Sequence, residues 1–186
     1  METLNKSRCY LSGPIDDVPD LGVQWRLDLI EKSHQAKLGI RYIDPCNKPP
    51  SCSQEVSDGK RIVDSFREKK DWEGMRKFVK TLRREDLRFT DIADFLIVKV
   101  NPDCHMCGSY DELFTAERQR KPIFCIIEEG IERLPVWLFG VFHLDNVFTS
   151  VDECIERLIQ LDKTPLEELD SCWVLIGQHM DTDLDS

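Results

Sequence analysis

A nearly continuous apolar run at residues 94–100, Asp-Phe-Leu-Ile-Val-Lys-Val, constrains the fold more than any other feature. Such a run is typical of a strand that is buried on both faces of a parallel sheet. A similar run occupies residues 122–127, and shorter candidate strands lie at residues 8–12, 40–43 and 147–148. Stretches of helical character separate these strands, which indicates an α/β protein.

Apolar residues at helical spacing indicate helices between the predicted strands. Asp20 is a candidate cap for a first helix, on which one apolar face would contain Val23, Leu27 and Ile30. Residues 60–88 form a charged helical stretch, residues 112–120 a short helix, and residues 150–161 a last helix. The apolar face of that last helix contains Val151, Cys154, Leu158 and Leu161.

The order of these elements predicts a flavodoxin-like (Rossmann-like) three-layer fold with a five-stranded parallel sheet in the order 2-1-3-4-5. Ligands of such sheets bind beyond the carboxyl ends of the strands. We therefore expect the loops at residues 13–17, 44–52 and 101–112 to meet at one site. The predicted domain covers residues 1–163, and residues 164–186 form an acidic C-terminal tail.

Composition excludes several classes of protein. The 186 residues carry a formal net charge of -10, which argues against a polymeric nucleic acid as partner. The chain has no apolar run of membrane-spanning length, and its first residues lack the apolar core of a signal peptide. We therefore expect a cytoplasmic protein with no membrane partner, whose eight cysteines are mostly reduced.

The cysteines leave one alternative open. Cys104 and Cys107 are spaced as in some metal sites, and Cys46 and Cys52 lie on a loop predicted at the same edge of the sheet. A four-thiolate zinc site is geometrically possible. Independent thiols are the favoured interpretation, so no metal and no cofactor are predicted. No G-x-G-x-x-G motif follows the first strand, which argues against a nicotinamide dinucleotide.

Two acidic residues are candidates for catalysis. Glu112 is predicted in the first turn of a helix, where the helix dipole favours an ionised carboxylate that could attack a sugar. An ordinary helix N-terminus would have the same residues. Asp86 precedes the third strand and could reach the site, although a solvated helix face is the simpler interpretation.

Three motifs together resemble the nucleoside 2-deoxyribosyltransferase family. They are Tyr10-Leu11-Ser12-Gly13-Pro14-Ile15, then Asp86-Leu87 followed by Ile92-Ala93-Asp94, and finally Gly108-Ser109-x-x-Glu112-Leu113 with Ala116 and Lys121-Pro122-Ile123. The resemblance spans residues 8–128 and implies cleavage or transfer at the N-glycosidic bond of a nucleoside or nucleotide. It implies that Glu112 is the nucleophile, that Asp86 assists proton transfer to the base, and that Tyr10 orients Glu112.

The resemblance also implies a binding site and an oligomer. Substrate would contact the first loop and the start of the Glu112 helix through Gly13, Pro14, Ile15, Asp16, Gly108 and Ser109. Family members form dimers or larger homo-oligomers in which a neighbouring subunit completes the site. Two positions depart from the family, because Met106 replaces an acidic sugar ligand and Trp137 stands where the neighbour's asparagine is expected.

The first loop bears on the choice of substrate. Asp16 and Asp17 stand where phosphate-binding relatives have small or basic residues, which favours nucleosides over 5′-monophosphates. Residues 60–88 favour the opposite preference, for 5′-monophosphates, because they include eleven Lys or Arg against six Asp or Glu. This stretch could form a phosphate-binding lid through Lys60, Arg61 or Arg88. The sequence leaves open whether water or a second base attacks the glycosyl-enzyme intermediate. A noncatalytic nucleotide sensor on the same fold is the alternative function.

Overall fold

Five parallel strands form one sheet in the order β2-β1-β3-β4-β5 in the computed structural model, which describes residues 2–49, 52 and 59–175. The strands are β1 (Arg8–Ser12), β2 (Arg41–Ile43), β3 (Phe95–Lys99), β4 (Ile123–Ile126) and β5 (Val147–Phe148). The predicted α/β fold class and strand order are confirmed. β1 pairs with both β2 and β3, so the strand order reverses beside it.

Helices cover both faces of the sheet. They are α1 (Val23–Gln35), α2 (Gly59–Lys69), α3 (Trp72–Ile92), α4 (Cys107–Arg118) and α5 (Val151–Lys163). α1 and α5 share one apolar core with the sheet, and α4 shares a second core with its other face. α3 packs beside α4, and α2 packs on α3. Short 3₁₀ helices lie at Pro45–Asn47, Ile131–Arg133, Val136–Gly140, Leu144–Asn146 and Leu166–Glu168.

Alternation along β1 decides which side chains reach which core. Cys9 and Leu11 belong to the core under α1 and α5, whereas Tyr10 belongs to the core under α4. Successive side chains of a strand point to opposite faces, so Ser12 lies on the same face as Tyr10. The end of β1 therefore presents two hydroxyl groups toward α4.

The charged stretch at residues 60–88 forms two helices, α2 and α3. Lys70 adopts a left-handed conformation with φ 53° between α2 and α3. The Asp71 side chain then caps α3, because its Oδ1 accepts a hydrogen bond of 2.9 Å from the Gly74 N–H. This local cap ends one helix and starts the next. We call the pair formed by α2 and α3 the helical hairpin.

The predicted apolar face of α1 is wrong at Leu27, which is 51% exposed, whereas Ile30 is partly buried against the core. The fully buried residues of the helix include Trp25, Arg26 and Leu29. Hydropathy alone does not place an arginine in a core, so the buried face is rotated by one position from the predicted one. The predicted face of α5 is confirmed, since Val151, Cys154, Leu158 and Leu161 are all buried.

Arg26 is 0% exposed, and its guanidinium lies at the end of β1. It donates hydrogen bonds to the carbonyl oxygens of Leu11 at 3.4 Å, Gly13 at 3.1 Å and Gly22 at 2.6 Å. Its Nε also lies 3.6 Å from the Asp44 carboxylate. One side chain thus ties the first loop to the start of α1 and to the loop after β2.

The first part of the predicted tail packs on the sheet. The Trp173 ring lies 5.5 Å from the Phe95 ring and 6.0 Å from the Phe124 ring, centroid to centroid, and Leu175 is buried. Thr3 donates to the Thr164 carbonyl at 2.6 Å, which ties the two ends of the described chain together. Among the described helices, none is both long and apolar enough to cross a membrane.

Replacing Arg26 with Met should lower the free energy of unfolding by about 3–5 kcal/mol, because buried carbonyl groups and Asp44 lose their partner. Urea unfolding followed by circular dichroism measures this loss. Arg76→Met is the matched control, since Arg76 forms an exposed pair with Glu73 and should change the unfolding midpoint little. Equal effects of the two substitutions would contradict the structural role of Arg26.

Candidate active site

A cavity of about 430 Å³ opens at the carboxyl edge of the sheet, on the face covered by α4. Its wall includes Gly13 from the first loop, Pro45 from the loop after β2, and His105 before α4. The three loops predicted to form the site therefore do meet. The helical hairpin closes the remaining side with apolar residues, among them Val63, Phe78, Val79, Leu82 and Leu87. A cavity of this size and mixed lining is typical of small-molecule sites.

Glu112 lies in the cavity wall on α4, but not in the predicted first turn. α4 begins at Cys107, five residues earlier than the sequence pattern indicated, and Glu112 is therefore in its second turn. The effect of the helix dipole decreases beyond the first turn. Contacts other than the helix dipole therefore decide how this carboxylate is held.

Two hydroxyl groups of β1 provide those contacts. The Tyr10 hydroxyl donates to Glu112 Oε1 at 2.9 Å, and the Ser12 hydroxyl donates to Oε2 at 2.5 Å. A carboxylate that accepts hydrogen bonds at both oxygens is stabilised in its ionised form and is fixed in orientation. The predicted contact of Tyr10 with Glu112 is present. The sequence interpretation missed Ser12, although two-residue alternation along β1 already places it beside Tyr10.

Asp86 also lines the cavity, and it is only 6% exposed, so the alternative of a solvated helix face is wrong. Lys48, which is 5% exposed, places its Nζ 2.6 Å from Asp86 Oδ1. The ammonium and the carboxylate form a buried ion pair. Lys48 was not predicted, because it lies in a loop rich in Pro and Ser without a motif.

The first loop places Gly13, Pro14, Ile15 and Asp16 in the cavity wall, and their contact with a substrate stays a prediction. A Cβ atom at Gly13 would approach the Trp25 ring to 3.0 Å, so the position has no room for a side chain. Asp17, in contrast, accepts a hydrogen bond of 3.1 Å from the His105 N–H. Asp17 thus ties the first loop to the loop before α4, and only Asp16 of the two aspartates faces the cavity.

The residues before Glu112 differ in role. Gly108 lies within α4 and lines the cavity. A Cβ atom there would meet nothing within 4 Å, so the space beside this glycine is open. Ser109 also lines the cavity. Met106 is 2% exposed and forms an apolar part of the wall.

Trp137 is not brought to this cavity within the chain. It lies on the 3₁₀ helix Val136–Gly140 and is 80% exposed. Its predicted contact with substrate therefore requires a neighbouring subunit and stays a prediction.

The basic side chains of the helical hairpin reach the cavity only in part. Lys60 and Arg83 line it, whereas Arg61 and Arg88 are not among its lining residues. Arg83 donates to Asp111 Oδ2 at 2.6 Å, which joins α3 to α4 at the cavity mouth. The hairpin therefore covers the site, but one of its two cations there is already paired.

The cysteines of the described chain do not gather a metal site. No group of three or more His, Cys, Asp or Glu side chains is arranged for a metal among residues 2–49, 52 and 59–175. Cys107 is exposed in the cavity wall, whereas Cys125 and Cys154 are buried in the sheet and α5. Burial raises the pKa of the Cys125 thiol to about 12.

Comparison with known proteins supports the fold alone. No protein-family profile matches the chain, and no curated protein sequence does. The fold is similar to that of a conserved protein from Enterococcus faecalis V583, with a TM-score of 0.55 and 15% sequence identity. The similarity covers 83% of this chain and 98% of that protein.

Alkylation of the native protein should label Cys107 first, because it is exposed in the cavity wall. Cys125 and Cys154 should react only after unfolding, since burial raises the pKa of both thiols. Peptide mapping after iodoacetamide treatment measures the order. A ligand that fills the cavity should slow labelling of Cys107 but not of Cys172, which lies outside it. Fast labelling of Cys125 in the native state would contradict this packing.

Proposed function

We propose that this chain cleaves the N-glycosidic bond of a nucleoside, with Glu112 as the nucleophile. The observation that carries the proposal is the Glu112 carboxylate, which accepts hydrogen bonds from Tyr10 and Ser12 within a cavity of nucleoside size. The second carboxylate, Asp86, lines the same cavity. A pair of carboxylates with different surroundings is what cleavage through a covalent glycosyl intermediate requires.

In the first step, a Glu112 oxygen forms a bond to the anomeric carbon while the bond from that carbon to the base nitrogen breaks. The electron pair of the broken bond stays on the base, which takes up a proton on the Asp86 side. In the second step, water or another base attacks the anomeric carbon and releases the Glu112 carboxylate. Water gives hydrolysis, and a second base gives transfer.

The charges of the cavity favour a neutral substrate. Its wall includes the carboxylates of Asp16, Asp86, Asp111 and Glu112. The guanidinium of Arg26 is occupied by backbone carbonyls, and Arg83 is paired with Asp111. Lys60 remains as a cation toward a phosphate group. We therefore propose nucleosides, rather than 5′-monophosphates, as the better substrates.

Replacing Glu112 with Ala should abolish cleavage while circular dichroism and the unfolding midpoint stay close to those of the unchanged protein. The reason is that the covalent bond forms at the removed carboxylate. With a slowly released analogue such as a 2-fluoro sugar nucleoside, mass spectrometry should find the glycosyl group on the peptide that contains Glu112. Glu117→Ala is the matched control, because Glu117 lies on the same helix, is exposed, and should remain active. Full activity of Glu112→Ala would refute the mechanism.

For one matched pair of substrates, the nucleoside should have a higher kcat/KM than its 5′-monophosphate. Asp16→Asn should narrow the difference by roughly fivefold, since removing one carboxylate near a phosphate changes its energy by about 1 kcal/mol. Asp145→Asn, remote from the cavity, should leave the ratio unchanged. A preference for the monophosphate that disappears in Lys60→Ala would instead assign phosphate binding to the helical hairpin.

A further inference from the structure

The ion pair between Lys48 and Asp86 bears on the source of the proton that the departing base needs. Both side chains are almost fully removed from water, and Nζ lies 2.6 Å from Oδ1. An ammonium at this distance favours the ionised carboxylate, which has no proton to donate. A nucleobase, however, is a poor leaving group when it departs as an anion, and protonation of the base makes its departure easier. The ammonium of Lys48 is an ionisable donor in direct contact with Asp86.

We propose that Lys48 is the source of the proton that neutralises the departing base, and that Asp86 passes this proton on. The proposal rests on the proposed function. Lys48 is absent from the cavity wall whereas Asp86 is part of it, so Lys48 acts only through Asp86. The pair thus connects a buried acid to the site where the base leaves.

The proposed proton transfer conserves protons and charge. Nζ of Lys48 gives a proton to the Asp86 carboxylate, and this proton moves on from Asp86 to the base as the bond between the anomeric carbon and the base nitrogen breaks. Lys48 becomes a neutral amine, Asp86 remains a carboxylate, and Glu112 becomes a glycosyl ester. When water attacks that ester, its released proton returns through Asp86 to Lys48, and the Glu112 carboxylate is restored.

This role differs from that of a structural ion pair in one testable respect. A structural pair requires only a positive charge beside Asp86, which arginine also supplies. A proton source requires a group that can give up its proton, and a guanidinium does not do so in proteins. Lys48→Arg therefore separates the two roles, and Lys48→Met removes both the charge and the proton.

The experiment uses a series of nucleosides with one sugar and with bases made progressively more acidic by halogen substituents. For the unchanged protein, the single-turnover rate should depend weakly on the acidity of the base. For both Lys48→Arg and Lys48→Met, the rate should fall by about a hundredfold to ten-thousandfold with the least acidic base. With the most acidic base, which leaves readily as an anion, the rate should fall little.

Asp86→Asn should show the same dependence, because the relay is interrupted at its second member, while nucleoside binding persists. The double variant Lys48→Met with Asp86→Asn removes both charges, so it avoids an unpaired buried charge and keeps the test valid if a single variant unfolds. Lys77→Met, on the exposed side of α3, is the matched control and should behave like the unchanged protein.

Two results would overturn the proposal. One is a full rate for Lys48→Arg with every base, since charge alone would then suffice. The other is an equal loss for all bases in Lys48→Met, which would indicate a structural role. If the unchanged protein cleaves no member of the series, the proposed function itself fails, and the relay fails with it. Cleavage by the unchanged protein together with a fully active Lys48→Arg refutes the relay alone.

Discussion

The buried guanidinium of Arg26 fixes the geometry on which the rest of the site depends. Removing a cation from water costs several kcal/mol unless its donors are satisfied. Here, they are satisfied by backbone carbonyls at the end of β1 and at the start of α1. Any change in these contacts would leave the buried guanidinium and the carbonyl groups without hydrogen bonds. The path of the chain after β1 is therefore fixed. The first loop and the last residues of β1 are therefore held before any substrate arrives.

A fixed end of β1 has direct consequences for the carboxylate opposite it. Tyr10 pairs with both β2 and β3, and Ser12 pairs with β3, so the backbone that carries the two hydroxyl groups is fixed. They hold both oxygens of Glu112. Orientation of a nucleophile before reaction removes part of the entropic cost of reaching the transition state. The orientation of the Glu112 carboxylate, on which the proposed mechanism depends, thus comes from the strand at least as much as from its own helix.

The sequence was sufficient for the sheet and for part of the site. Buried parallel strands have an apolar pattern that does not depend on distant residues, so the strands could be found, and their alternation with helices predicted the strand order. Tyr10, Asp86 and Glu112 could be named from motifs, and Ser12 was accessible from alternation along β1. Arg26 and Lys48 were not accessible, because their burial depends on carbonyl and carboxylate partners that only the folded chain brings to them. The start of α4 was placed too late for a related reason, since a cysteine and a glycine are weak helix formers that tertiary packing overrides.

The carboxylates of Glu112 and Asp86 are held by chemically different partners. Substitutions beside each carboxylate should therefore have different effects on stability. Glu112 accepts hydrogen bonds from two neutral hydroxyl groups, so the loss of either hydroxyl removes one hydrogen bond. Asp86 forms an ion pair with a buried lysine, so the loss of either member weakens the compensation of a charge in the protein interior. In the proposed mechanism, changes beside Glu112 should therefore affect reactivity with little effect on the fold. In the same mechanism, changes beside Asp86 should affect both reactivity and stability, because the ion pair would contribute to both.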